Sequence, residues 1–194
     1  PAVHRQVRLL ITGQPERALP LYERALAIFE EAYGPDHADV ARSLAYVARV
    51  HSASGDYDRT VSRYERALVV FEKALGADNP EVSTALGQLG EIHMRAGHDD
   101  RARPLFERSL AILEKTLGPE HQLVSSPLVA LAMLALAQGR AGEAVPLAER
   151  AVKLAEQGRT ADYVAKTRYL LAEALWDAPA AGSRNRVRAV ALAE

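Results

Sequence analysis

The sequence predicts an all-α fold, a solenoid of stacked antiparallel helix pairs, on three observations. Gly13, Gly55, Gly97 and Gly139 follow one another at intervals of 42 residues, and a second series, Gly34, Gly76 and Gly118, keeps the same interval. The pairs Glu23-Arg24, Glu65-Arg66, Glu107-Arg108 and Glu149-Arg150 repeat with them. Between the glycines, apolar residues recur at three and four, the spacing of one face of a helix. One period over most of a chain marks a repeat array, in which each unit covers the apolar face of its neighbour.

The copy beginning at Gly55, GDYDRTVSRYERALVVFEKALG, shows the unit. Val61, Tyr64, Leu68 and Phe71, with Ala67 beside them, make the inward stripe of its longer helix. That helix ends at Gly76, a residue free to take the left-handed conformation of a C-cap. In Asp78-Asn79-Pro80-Glu81, Asp or Asn caps the following helix and Pro fits its first turn. This shorter helix carries Val82, Leu86, Leu89, Gly90 and His93 on one side and stops before Gly97.

Along the chain the pattern gives helices over 2–11, 15–33, 37–53, 57–75, 79–95, 99–117, 123–138, 142–157 and 161–177, with a last piece from about 185. The 194 residues read as a single array of four to five units, 1–36, 37–78, 79–120, 121–160 and a partial 161–194, clipped at both ends. Clipped units leave apolar faces, so self-association through the ends is expected. Pro15 falls at a helix start, while Pro20, Pro104 and Pro146 fall in the first two turns and predict slight bends. Pro127 stands where other units have the third residue of a running helix. Either Ser126 caps a helix that starts late, or the helix kinks.

Composition narrows the function. With 48% hydrophobic residues and a net charge of −1, the chain can bury a core and has no bulk attraction to nucleic acid or acidic lipid. It has no cysteine, which removes disulfides and thiol nucleophiles and fits a reducing, cytoplasmic setting. No apolar run is long enough to span a bilayer.

In the first helices Leu44, Val47, Ala48 and His51 match Leu86, Leu89, Gly90 and His93, and then Leu128, Leu131, Ala132 and Ala135. In the second helices Ala18, Tyr22 and Ala25 match Thr60, Tyr64 and Ala67, then Ala102, Phe106 and Ser109, then Ala144, Ala148 and Ala151. This unit resembles the tetratricopeptide repeat in its kinesin light chain-like form, in which the usual repeat of about 34 residues is lengthened through its second helix. The resemblance implies a right-handed superhelix whose first helices line a concave groove for peptide or helical segments of partner proteins. Bacterial relatives of this long type often adjoin a kinase or nucleotide-hydrolysing domain, which implies a sensor or adaptor role. The chain departs from the pattern where the family carries an Asn pair that clamps peptide backbone; Ala45-Tyr46, Gly87-Gln88 and Val129-Ala130 stand there instead.

The side chains give no sign of an enzyme. His51 and His93 are one period apart at the interhelix position, and His37 and His121 are two periods apart in the capped loop, so the histidines follow the repeat and not a zinc spacing. No metal or other cofactor is expected. The Glu-Arg pairs recur on the outer side of a helix, where ion pairs are common and weak. No phosphate-cradling loop or nucleophile elbow is present. RNA-reading helical arrays have shorter periods and basic grooves, whereas the groove positions here mix Arg42, Arg49 and Arg95 with Glu91, Met94, Met133 and Leu136.

The leading reading is a protein-interaction scaffold or adaptor that binds protein or peptide segments. The alternative is a regulatory or architectural arm of a larger bacterial signalling protein, with RNA binding a distant third. The stretch Leu128 to Ala137, LVALAMLALA, is apolar on every side. Its neighbours account for Leu128, Leu131, Leu134 and Ala135, which leaves Val129, Met133 and Leu136 for the groove. Met94 joins them as the other methionine, a side chain suited to adaptable surfaces. The expected site is a pocket of Met94, Val129, Met133 and Leu136 rimmed by Arg49, Glu91 and Arg95. In the competing arrangement these apolar residues pack against the array's own later helices.

Overall fold

The computed structural model describes residues 15–178 and 183–193. Among them every regular element is helical: α1 (Pro15–Tyr33), α2 (Ala38–Ala53), α3 (Tyr57–Leu75), α4 (Pro80–Arg95), α5 (Asp99–Leu117), α6 (Ser125–Ala137), α7 (Ala141–Ala155), α8 (Ala161–Asp177) and α9 (Ser183–Ala193), with a 3₁₀ turn at Gln122–Val124. The helix expected over 2–11, and Gly13, lie outside the described residues. The chain divides into two compact units, 1–98 and 99–194.

The helices start where the period puts a cap. His37 Nδ1 accepts from the Asp39 N–H at 3.2 Å, Asn79 Oδ1 from the Glu81 N–H at 2.8 Å, and His121 Nδ1 from the Leu123 N–H at 3.2 Å. Three side chains at one repeat position thus satisfy one orphan donor each.

The two glycine series differ. At Gly55, Gly97 and Gly139 the first helices close with paired reverse bonds: His98 N–H to His93 C=O at 2.9 Å with Gly97 N–H to Met94 C=O at 3.0 Å, and Arg140 N–H to Ala135 C=O at 2.8 Å with Gly139 N–H to Leu136 C=O at 2.8 Å. These are Schellman caps, and the glycine φ values of 75°, 76° and 68° are what such caps require. Gly76 corrects the sequence expectation. Its φ of 88° with ψ of 152° is the extended positive-φ well that only glycine enters readily, not the left-handed helical one.

Pro20, Pro104 and Pro146 sit inside α1, α5 and α7, which run on through them. At Pro127 the structure does not use a Ser126 cap. The first turn tightens to the 3₁₀ segment after the His121 cap, and α6 then begins at Ser125, so that Pro127 falls in its first turn where the missing N–H is no loss.

In the first unit, α1, α2, α3 and α4 pack each on the next. Ala18 and Tyr22 of α1 meet Val47 and Val50 of α2, and the Tyr22 and Tyr46 rings stack at 5.2 Å. Tyr22 and Tyr64 are each 2% exposed, and burial raises both hydroxyl pKa values. In the second unit, Leu113, Val124, Leu128, Ala151 and Leu154 form one core, and Ala132, Ala135, Ala144, Ala148, Leu171, Leu175 and Ala189 belong to the next. The alanines let helix backbones approach closely, while each fully buried leucine contributes about 1.5–3 kcal/mol over its exposed state. On the outer surface, Arg66 pairs with Glu30, and Arg150 Nη1 lies 2.6 Å from Glu114 Oε1, so these arginines reach the preceding second helix rather than the adjacent glutamate.

Candidate partner-binding groove

Helix α6 has no polar face. Leu128, Leu131, Ala132, Leu134 and Ala135 are buried against the neighbouring helices, which leaves Val129, Met133 and Leu136 as a stripe spaced four and three. Val129 and Leu136 are partly buried and pack against the core, whereas Met133 is 45% exposed. Opposite them α8 presents Tyr163, Thr167, Leu170, Glu173 and Asp177 at helical spacing, and the two stripes enclose an open cavity of about 700 Å³. That volume lies within the range of ligand and anchor sites. The Arg159 guanidinium lies over the Tyr163 ring, 4.3 Å from its centroid, and Arg159 Nη2 donates to Ser126 Oγ at 2.5 Å.

The polar positions expected at the rim lie in the first unit. Arg42 is already occupied: its Nε and Nη2 donate to the two Glu81 carboxylate oxygens at 2.8 and 2.6 Å, and Nη1 to Asp39 Oδ1 at 2.6 Å. The carboxylates raise its pKa further, and the bidentate pair ties α2 to α4. Beside it, Tyr46, Arg49 and Gln88 help line a cavity of about 380 Å³, with the Arg49 guanidinium 5.9 Å from the Tyr46 ring. Arg49, Glu91 and Arg95 also line a further cavity of about 300 Å³, where Arg95 and Glu91 pair at 3.4 Å. The structure therefore groups Val129 with Met133 and Leu136, and separately Arg49 with Glu91 and Arg95. Met94 is partly buried on α4 of the first unit.

The wall supplied by α8 was missed in the sequence. Carrying Val129, Met133 and Leu136 forward by the period of 42 lands on Leu171, Leu175 and Ala178, all buried. His121 is followed by Thr160, which accepts from the Tyr163 N–H at 3.4 Å, so the interval there is 39 residues, because α7 has 15 residues where α1, α3 and α5 have 19. The cap shortens the carry but does not find the wall either, because 39 residues on from Val129, Met133 and Leu136 stand Arg168, Ala172 and Leu175, of which the last two are buried.

Elsewhere, Tyr57 Oη lies 2.8 Å from His93 Nδ1 and 2.7 Å from His98 Nδ1, a hydrogen-bonded knot between α3 and the end of α4. Among the described residues no group of three or more His, Asp or Glu is placed to hold a metal, and no helix is long and apolar enough to cross a membrane.

Helix pairs closed by Schellman glycines at a 42-residue period agree with the sequence comparison, in which the model of the Tetratricopeptide repeat family matches residues 9–68, 47–115 and 81–157. The chain belongs to the tetratricopeptide repeat family. No curated protein matches the sequence significantly. Among solved structures, the nearly identical TPR-like repeats of a Podosopora anserina protein of kinesin light chain type superpose with a TM-score of 0.78 at 25% identity, over 98% of this chain and 89% of that one. BtubC (BKLC) from P. vanneervenii gives a TM-score of 0.83 at 19% identity over 96% and 76%, and the apo form of RapI gives 0.75 at 18% over 96% and 49%. The tetratricopeptide helix pairs are therefore of the long, kinesin light chain-like kind, and the family's repeats act as scaffolds for protein contacts.

Proposed function

We propose that this tetratricopeptide array is an interaction scaffold or adaptor, and that the groove between α6 and α8 takes an apolar anchor from a segment of a partner protein. The observation that carries this reading is Met133, 45% exposed on a helix that is otherwise apolar all round, over a cavity of about 700 Å³. A fold left to minimise its own exposure would place a polar residue there, and a flexible thioether over an apolar pocket suits a surface that adapts to what it binds. In the first unit, Arg49, Glu91 and Arg95 offer a separate polar contact surface.

The test is selection from a displayed peptide library on the immobilised protein, parent against Met133→Glu. The parent is expected to enrich peptides sharing apolar anchor residues. The variant is expected to lose them by more than tenfold while keeping its helical circular dichroism and melting temperature, since burying a carboxylate against an apolar anchor is strongly unfavourable. Peptides that bind parent and variant alike would remove the groove from the function.

A further inference from the structure

The last two turns of α8 carry Glu173 and Asp177, four residues apart on the stripe that lines the groove. Both are exposed, and among the described residues neither carboxylate has an ion pair or a hydrogen bond. Among the described residues that line the same cavity, the cation is Lys166, and it is taken up by Asp162, with Nζ 2.7 Å from Oδ2. Among the described residues, then, nothing pairs with the two negative charges at this end of the groove.

That end is also the wrong place for them. A helix C-terminus is the negative pole of its macrodipole, where cations stabilise and carboxylates do not. Like charges at i, i+4 add their own repulsion, and α8 has no basic residue in its last turn to offset either effect. Local rules broken without compensation inside the fold concentrate at functional sites.

We infer that the occupant of the groove is a basic amphipathic helix of a partner protein: an apolar stripe seated over Val129, Met133 and Leu136, with lysine or arginine one turn apart facing Glu173 and Asp177. The inference rests on the groove being a partner site and adds the charge of what it takes. The i, i+4 spacing of the carboxylates matches that of two cations on one helix face. An acidic segment or an anionic membrane surface would be repelled from the same groove.

Three fluorescent helical peptides test this on the full chain by anisotropy at low salt: a leucine stripe flanked by lysines at i, i+4, the same stripe flanked by glutamates, and the lysine peptide with its leucines changed to serine. The lysine-leucine peptide is expected to bind about fivefold tighter than the glutamate one, the yield of two exposed ion pairs. The gap is expected to close in the Glu173→Gln, Asp177→Asn double variant and at high salt, and the serine peptide to bind weakest. Equal affinity of parent for the lysine and glutamate peptides overturns the charge inference and leaves the groove reading standing. Failure of both leucine peptides to bind, or binding of the lysine-leucine peptide that Met133→Glu does not weaken, takes down the groove reading and this inference together. Concentration-dependent self-association in light scattering that Met133→Glu abolishes would assign the groove to a second copy and overturn the inference. The carboxamide variant changes only exposed positions, and a melting temperature matching the parent confirms its fold.

Discussion

His51 shows what burial does to one side chain in this array. It lies on α2, 6% exposed, at the interhelix position of the repeat. Loss of hydration holds its pKa below the ordinary value of 6.5; Asp56 opposes the shift, and Arg59 and Arg63 add to it. The unfolded chain therefore takes up this proton at a higher pH than the folded one. Between the two pKa values the unfolded state binds more protons, so stability rises with pH there; it is complete above the unfolded value and lost as pH falls below it. The melting temperature is expected to drop between about pH 7.5 and about pH 5, and His51→Gln to lose less over the same interval, read by calorimetry. Equal losses would deny His51 the role. That His51 is structural was legible because His93 repeats it one period later, at 4% exposure. That Arg42 is bound to Glu81, 39 residues away, was not, because nothing near Arg42 in sequence names that partner.

At the scale of the element, helix starts were the most legible feature. A cap needs only a polar side chain two residues before the N–H it accepts from, and His37, Asn79 and His121 supply it by position rather than by residue type. Asn79→Ala is expected to cost about 1 kcal/mol, the usual loss of an N-cap, with the helical signal unchanged below the transition. Urea denaturation checks this, and an unchanged midpoint would mean that Pro80 alone sets the start of α4. The 3₁₀ turn before α6 escaped prediction because Pro127 admits more than one local solution. Its choice follows from burial of Val124 at 0% exposure in the adjacent core, a contact with Leu113 and Leu154 from other helices.

Taken as a whole, the molecule carries 24 basic and 25 acidic residues, interspersed along every helix pair. A chain so balanced has no bulk positive charge to release counterions from a polyanion. On immobilised heparin at physiological salt the protein is expected to pass without retention. Retention that falls with added salt would restore RNA as a candidate partner.

Legible in the chain alone were the class of fold, the bounds of the described helices to within a few residues, the capping positions and the apolar run from Leu128 to Ala137. All of these depend on hydrogen bonds and side-chain spacing within a turn or two of the chain, so a 42-residue period displays them repeatedly. Tertiary structure alone decided what faces what across helices. Carried forward by 42 or by the local interval of 39, the groove positions of α6 land mostly on buried residues of α8, because the face that α8 turns towards α6 is not the repeat equivalent of the face that α6 turns to the groove. Leu171 and Leu175 enter the core, and Tyr163, Leu170, Glu173 and Asp177 come to face Met133.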